Sequence, residues 1–264
     1  MTIGSLFKLK STYDNIVQYQ LPVGDTLIDL NPYIGKHIKL EYTGNIFCVD
    51  TGKKIKKAYG QGYSWESFIT LPECDTCIIK PELCHYKAGT CRDPRWGESH
   101  CLKPHVIYLS LTSSLKVGIT RKTQVPTRWV DQGAVKAIKL LEVKDRLTSG
   151  KIEIEIAKTM GDKTNWRNML KNVYDDMDLL AKKKEVIKQF ADIIKKHEAT
   201  VLDDELYEFN YPVEKYPEKV SSFNFDKNPI VEGDLMGIKG QYLIFDTGVI
   251  NIRKFQGYEI NFES

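Results

Sequence analysis

The stretch that decides the fold runs from Glu73 to Trp129: ECDTCIIKPELCHYKAGTCRDPRWGESHCLKPHVIYLSLTSSLKVGITRKTQVPTRW. Its first half holds five of the chain's six cysteines, Cys74, Cys77, Cys84, Cys91 and Cys101, with His85, His100 and His105 interleaved or close behind. Its second half reads as a β-hairpin, because HVIYLS and LKVGIT are apolar, β-branched runs joined by a short polar break. Gly118 inside the second run marks a bulge or a close backbone approach. QVPTRWVDQGAVKAI follows as a helix or broken helix starting near Pro126, a residue that a first helical turn tolerates, and KLLEV as a third strand. The cysteine-rich half is a metal-clamped knot that holds the hairpin in shape.

Cys74-x2-Cys77 is the strongest local metal signal, since this spacing brings two sulfurs onto one ion across a tight turn. The other ligands must come from Cys84, His85, Cys91, His100 and Cys101, and the spacing does not choose among them. Few apolar residues lie between the cysteines, so the segment needs a staple to hold a shape. A closed, structural zinc is expected, with an iron–sulfur cluster or unmetallated thiols as alternatives. The start, MTIGSLFKLK, has no signal-like apolar run, and no stretch approaches 18 apolar residues. The expected compartment is the cytoplasm, where thiols stay reduced.

Working outward, residues 1–70 read as a β-rich segment. IVQYQL, HIKLEYTG and NIFCVDTG are short strands divided by turn-like NPYIG, TGN and DTG. Lone Cys48 reads as a small buried hydrophobe, and KKIKK at 53–57 as a solvated strand edge or a phosphate contact. Residues 71–105 are the metal-binding region and 106–169 a small α/β core. IEIEIA alternates like a strand, and GDKTNWR carries a candidate cap at Asp162 or Thr164. Residues 170–200 give the clearest helix, one long amphipathic element with apolar residues at spacings of three and four. Its other side, Lys182, Lys183, Lys184, Lys188, Lys195 and Lys196, is a solvated face or a nucleic-acid stripe. Residues 201–264 form a glycine-punctuated β segment (SSFNFD, LMGIKGQYLIFDTG, VINIRKF, GYEINF) expected to pack with 1–70. GIKG lacks a following lysine-serine and is no phosphate-binding loop. The fold class is α+β. From Ile79 to Lys158 there are 15 Lys and Arg against 8 Asp and Glu, and from Ala199 to Ser264 there are 6 against 12. A basic middle and an acidic tail suit an anionic partner, or each other.

The motifs CHYKAGTCRDPRWGESHC, HVIYLSLTSSLKVGITR, QVPTRWVDQGA, DRLTSG, DKTNWR and GIKGQYLIFDTGVINIR resemble an uncharacterised prokaryotic family of cysteine-rich proteins of unknown function, over nearly the whole chain. Members of that family tend to carry an earlier pair of cysteine doublets. Here those positions are Cys48, Thr51, Ser64 and Ser67, so the resemblance implies a lost site that binds no metal and whose shape is held by packing alone. The middle also resembles, more weakly, the GIY-YIG nuclease superfamily, and that makes IEIEIA helical. Carried over, the first-strand tyrosine is Tyr108, the helical arginine Arg128, the metal-holding glutamate Glu153 and the late asparagine Asn165. Lys116 and Val117 precede Gly118, so the second tyrosine is missing. The resemblance implies that Tyr108 orients or deprotonates water, Arg128 stabilises phosphate charge and Glu153 holds Mg²⁺. A scaffold of this kind also serves as a DNA- or RNA-binding module without cleavage, with Lys116, Arg121, Lys122 and Arg128 on the phosphates, or as a protein-interaction module. The sequence gives no oligomeric state.

Overall fold

The computed structural model describes residues 1–160 and 165–264. In chain order its strands and helices are β1 (Thr2–Ser5), β2 (Lys10–Asp14), β3 (Ile16–Val23), β4 (Thr26–Asp29), β5 (His37–Phe47), β6 (Lys54–Ile55), α1 (Trp65–Thr70), α2 (Thr76–Ile79), α3 (Pro94–His100), β7 (His105–Leu111), β8 (Leu115–Arg121), α4 (Thr127–Asp131), β9 (Lys136–Val143), α5 (Arg146–Ala157), α6 (Trp166–Leu170), α7 (Leu179–Gln189), α8 (Ala191–Lys196), β10 (Thr200–Val201), β11 (Leu206–Glu208), β12 (Ile230–Lys239), β13 (Tyr242–Phe245), β14 (Val249–Asn251) and β15 (Tyr258–Glu263). The class is α+β with β-rich ends.

The two ends of the chain share one sheet, ordered β1-β15-β5-β12-β13-β14, with β6 on β5. Thr2 pairs with Phe262, and Phe262 pairs in turn with Leu40. β5 alternates as a half-buried strand should, turning Ile38 and Leu40 into the core. The turn-like TGN does not divide it. Thr43 Oγ1 and Asn45 Nδ2 both donate to Glu259 Oε2, at 2.7 and 2.8 Å, and Gly44 takes φ +88°. The glycine thus makes an irregularity inside one strand of 11 residues. SSFNFD likewise forms no strand. It is a loop that drops Phe225 into the core.

The middle of the chain builds a second sheet, β10-β9-β7-β8, with β11 also on β9. All seven residues of β7 are buried. Its two faces serve two cores. Ile107 and Leu109 pack with Ile152 and Ile156 of α5 and Val186 of α7. Val106 and Tyr108 join Trp129 and the terminal β-body. A strand covered on both sides reads as a continuous apolar run, as VIYL does. α5 confirms the helical reading of IEIEIA. Asp145 caps it, accepting from Thr148 N–H at 2.7 Å.

The expected long helix is divided. Asn172, at φ +57°, follows the end of α6. Residues 171–178 are not helical. Asp178 then starts α7 afresh by accepting from Leu180 and Ala181 N–H, and Phe190 separates α7 from α8. Lys183 is not on a solvated face. It is buried on the same side as Leu179 and Val186, and its ammonium donates to the Leu202 carbonyl at 2.8 Å and pairs with Asp204 at 2.9 Å. After Pro126 only Thr127–Asp131 is helical, because Gly133 at φ +71° turns the chain into β9. The candidate caps Asp162 and Thr164 lie outside the described residues.

Candidate functional site

The cysteine-rich segment folds as short turns around a small gap of about 10 Å³. Cys77, Cys84, Cys91 and Cys101 line it, with His85. Burial, then Asp75 and the neighbouring Cys84 and Cys101, push the Cys77 thiol up to about 11. Burial also raises Cys101. Burial of this kind favours the protonated thiol, and a metal ion would have to displace that proton to bind. Among the described residues, one ligand atom each from Asp75, Cys77 and His85 also lies within 4.8 Å of the others. Asp75 is already engaged, with Arg92 Nε at 3.0 Å and His85 Nε2 at 3.3 Å. The segment could therefore hold a metal ion.

Two residues expected as possible ligands turn elsewhere. His100 stacks on Trp96 with ring centroids 4.3 Å apart, and its Nδ1 lies 2.7 Å from Ser99 Oγ. Cys74 does not line the gap. Its surroundings are Glu73, Arg92, Asp50 and Cys48, and burial pushes its thiol up to about 11.

Cys48, Thr51, Ser64 and Ser67 do come together, and hydrogen bonds rather than packing alone hold them. Ser64 N–H donates to Cys48 Sγ at 3.2 Å. Ser67 Oγ lies 3.6 Å from that sulfur and 3.0 Å from Ser64 Oγ, and donates to Asp50 at 2.7 Å. Two thiolates on one zinc sit about 3.8 Å apart, the tetrahedral edge for a 2.3 Å bond. The Ser67 hydroxyl therefore lies at a ligand-like separation from Cys48. Burial raises the Cys48 thiol, but the bonds from Thr51, Ser64 and Ser67 outweigh it and bring it down to about 6.

Beside the metal segment opens a cleft of about 730 Å³. Tyr108, Lys116, Gly118, Arg121, Arg128 and Glu153, separate in sequence, all line it. Tyr108 is paired across the hairpin with Gly118. A Cβ at residue 118 would lie 2.7 Å from the tyrosine oxygen, so only glycine lets the ring lie there. The hydroxyl donates to Gln132 Oε1 at 3.2 Å. Burial raises its pKa, with Arg128 opposing as charge and hydrogen-bond donor. It stays protonated near neutrality and is suited to orienting a water rather than deprotonating one. Trp129 and Val130 are buried and anchor α4, so the adjacent Arg128 is set at the cleft. Ile152 and Ile156 anchor α5 in the same way and place Glu153.

The cleft and the metal segment share a wall. Ile78, Ile79 and Pro81 line the cleft, and Gly150 of α5 admits Pro81 and Glu82 so closely that a Cβ there would meet Pro81 at 2.5 Å. Arg146, also lining the cleft, donates to the Ile78 carbonyl and stands near Cys77 and Cys101.

Of the remaining expected residues, Lys122 points away and pairs with Glu142 at 2.8 Å. Asn165 does not line the cleft. It caps α6, accepting from Arg167 and Asn168 N–H. Lys8, Gln61 and Arg253, which sequence reading missed, reach the cleft from the terminal β-body. No local signal marks them, since each is an ordinary polar residue in its own segment. Among the described residues no helix is long and apolar enough to cross a membrane. Comparison with curated proteins and with solved structures gives no match. The model of one family of proteins of unknown function, DUF2797, matches residues 35–260, and the chain belongs to that family.

Proposed function

We propose that the cleft binds the phosphate backbone of DNA or RNA and that the cysteine segment is a structural zinc knuckle supporting one of its walls. The observation that carries the reading is the charge of the cleft. Lys8, Lys116, Arg121, Arg128, Arg146 and Arg253 line it, against the carboxylates of Asp131 and Glu153. Asp131 is already bound by Lys8 at 3.0 Å and by Gln241 at 2.9 Å. Arg146 donates to the Ile78 carbonyl and Arg253 to Gln61, and forked guanidiniums of this kind suit phosphate oxygens. For the knuckle we propose Cys77, Cys84, Cys91 and Cys101 as the zinc ligands, with Asp75, His85 and Arg92 bracing them from outside.

Phosphodiester hydrolysis is a second reading, favoured by the meeting of Tyr108, Arg128 and Glu153 in one cleft. Their order along the chain, strand then helix then later helix, is that of the GIY-YIG pattern, with Lys116 where the second tyrosine would stand. Tyr108 would orient the attacking water, and Arg128 would stabilise the negative charge gathering on the phosphate. Glu153 would supply an oxygen ligand to Mg²⁺, which as a bound ion polarises a phosphoryl oxygen. The test is incubation with labelled branched, single-stranded and duplex DNA and RNA, with Mg²⁺ or with EDTA, beside Glu153→Gln. Metal-dependent cutting that falls by two orders of magnitude or more in the variant, with binding spared, is the expected result for an enzyme. Binding without cutting leaves the binding module, and loss of both in the variant makes Glu153 a structural residue.

A further inference from the structure

Arg253 is a half-buried arginine that the terminal β-body presents to the cleft. It sits on the 3-10 turn Ile252–Phe255 between β14 and β15, and the buried side chains of Ile252 and Phe255 fix that turn. Its Nε donates to Gln61 Oε1 at 3.1 Å. Among the described residues no carboxylate lies within ion-pairing distance of it, and Asp131, which acts on it electrostatically, is occupied by Lys8. Arg128 lines the same cleft, and its charge, after burial, lowers the pKa of Arg253. Two guanidiniums lining one cleft repel each other, and an anion that enters between them relieves that repulsion.

The two residues come from different parts of the molecule. Arg128 belongs to α4 beside the hairpin sheet, and Arg253 to the body built from the chain ends. Ile78 and Ile79 of the metal segment stand along a third side, Ile79 with 84% of its surface exposed. A space of about 730 Å³ is of the size that takes small ligands, which occupy roughly 300–1,000 Å³. That admits a nucleotide or two of one strand. It does not admit a double helix, whose major groove alone is about 12 Å wide.

Resting on the phosphate-binding reading given above, we infer that Arg128 and Arg253 form a two-guanidinium clamp on one phosphodiester of an unpaired nucleic-acid strand, which passes between the hairpin sheet and the terminal β-body with its bases against the isoleucine side. The strand is thereby distinguished from a duplex by access and from a free nucleotide by the neighbouring phosphates that Arg121 and Lys116 reach.

The experiment measures binding of a fluorescent single-stranded 12-mer, of the same sequence as a duplex, and of a nucleoside monophosphate competitor, over a range of salt. It uses the full-length, metal-loaded protein, Arg253→Gln, Arg253→Lys and, as a control for simple loss of charge, Lys254→Gln on the same turn. The expected result is that wild type prefers the single strand and that the monophosphate competes poorly. Arg253→Gln should lose about tenfold in affinity, as removal of one charge-assisted contact does, and its log–log salt slope should fall by about 0.7. Arg253→Lys should restore the slope but only part of the affinity, because the fork is lost. Lys254→Gln should bind as wild type. Melting temperature and metal content, followed alongside, should be unchanged throughout. Wild-type binding with Arg253→Gln indistinguishable from it, or matched by Lys254→Gln, overturns the clamp and leaves the cleft reading standing. Equal affinity for duplex, or full competition by monophosphate, overturns the unpaired strand as ligand. No binding by wild type of any nucleic acid removes the underlying reading and the clamp with it.

Discussion

Lys239 carries its amine into the protein interior and, among the described residues, forms no ion pair there. Its Nζ donates to Asn172 Oδ1 at 2.7 Å and lies over the rings of Tyr211 and Tyr216 at 5.2 and 5.5 Å. Burial lowers its pKa from 10.5 to about 7. Between those two values the unfolded chain holds the extra proton, so this lysine makes stability rise with pH from about 7 to 10.5. Below that window both states are charged and the burial penalty is fully present. The gain is about 1.4 kcal/mol per pH unit at most, reduced by what the asparagine and the tyrosine faces return to the charge. Urea unfolding at pH 7 and pH 9.5 checks this. Lys239→Met should be the more stable protein at pH 7, and the difference from wild type should shrink at pH 9.5. Nothing in GIKGQY announced this burial. Tyr108, Arg128 and Glu153 were legible as residues of one cleft only through the resemblance to the GIY-YIG pattern. Arg253 was not, because its role depends on a contact with a segment more than a hundred residues away, and a lone arginine on a β turn has no pattern of its own.

At the scale of elements, the chain holds two loop-and-turn knuckles side by side, one closed by hydrogen bonds and one suited to a metal. The spacing Cys74-x2-Cys77 suggests both cysteines in one site, yet the structure sends Cys77 to the gap that Cys84, Cys91 and Cys101 also line and leaves Cys74 outside it, near Cys48. Spacing could not separate these, since an x2 pair needs only a tight turn and says nothing of which way each sulfur points. Metal analysis of purified variants tests the assignment. Cys74→Ala and His100→Ala should keep one zinc per chain. Cys84→Ala and Cys91→Ala should lose it, together with several kcal/mol of stability. The triple change Thr51→Cys, Ser64→Cys and Ser67→Cys should raise the content to two. Unaltered zinc in Cys84→Ala would remove the four-cysteine set. The helical stretch after Leu170 shows the opposite limit. Its apolar spacing continues through 170–198, but Asn172 and Asp178 carry the stop and start signals, and in the structure these outweigh the periodicity. Lys183 was assigned to water because lysines usually go there. In fact it spans to the carbonyls of a neighbouring loop.

On the scale of the whole molecule, the chain ends close the architecture. β1 and β15 lie together, β15 pairs with β5, and the body they form supplies Lys8, Gln61 and Arg253 to a cleft whose other residues come from the middle of the chain. The α+β class and the β-rich ends were legible from strand patterns and glycines. The cleft as a composite was not, since it exists only where the two sheets and the metal segment meet. Its positive charges come from the two bodies, Lys8 and Arg253 from one and Lys116, Arg121, Arg128 and Arg146 from the other, while the cysteine segment adds the apolar Ile78, Ile79 and Pro81. The measurement that tests the central claim most directly is the affinity of wild type and Arg128→Gln for a labelled single-stranded oligonucleotide between 50 and 200 mM salt. The account predicts wild-type binding that weakens steeply as salt rises, and a variant weaker by about tenfold with a shallower slope. Absence of wild-type binding at the lowest salt, or equal binding by Arg128→Gln, would contradict it.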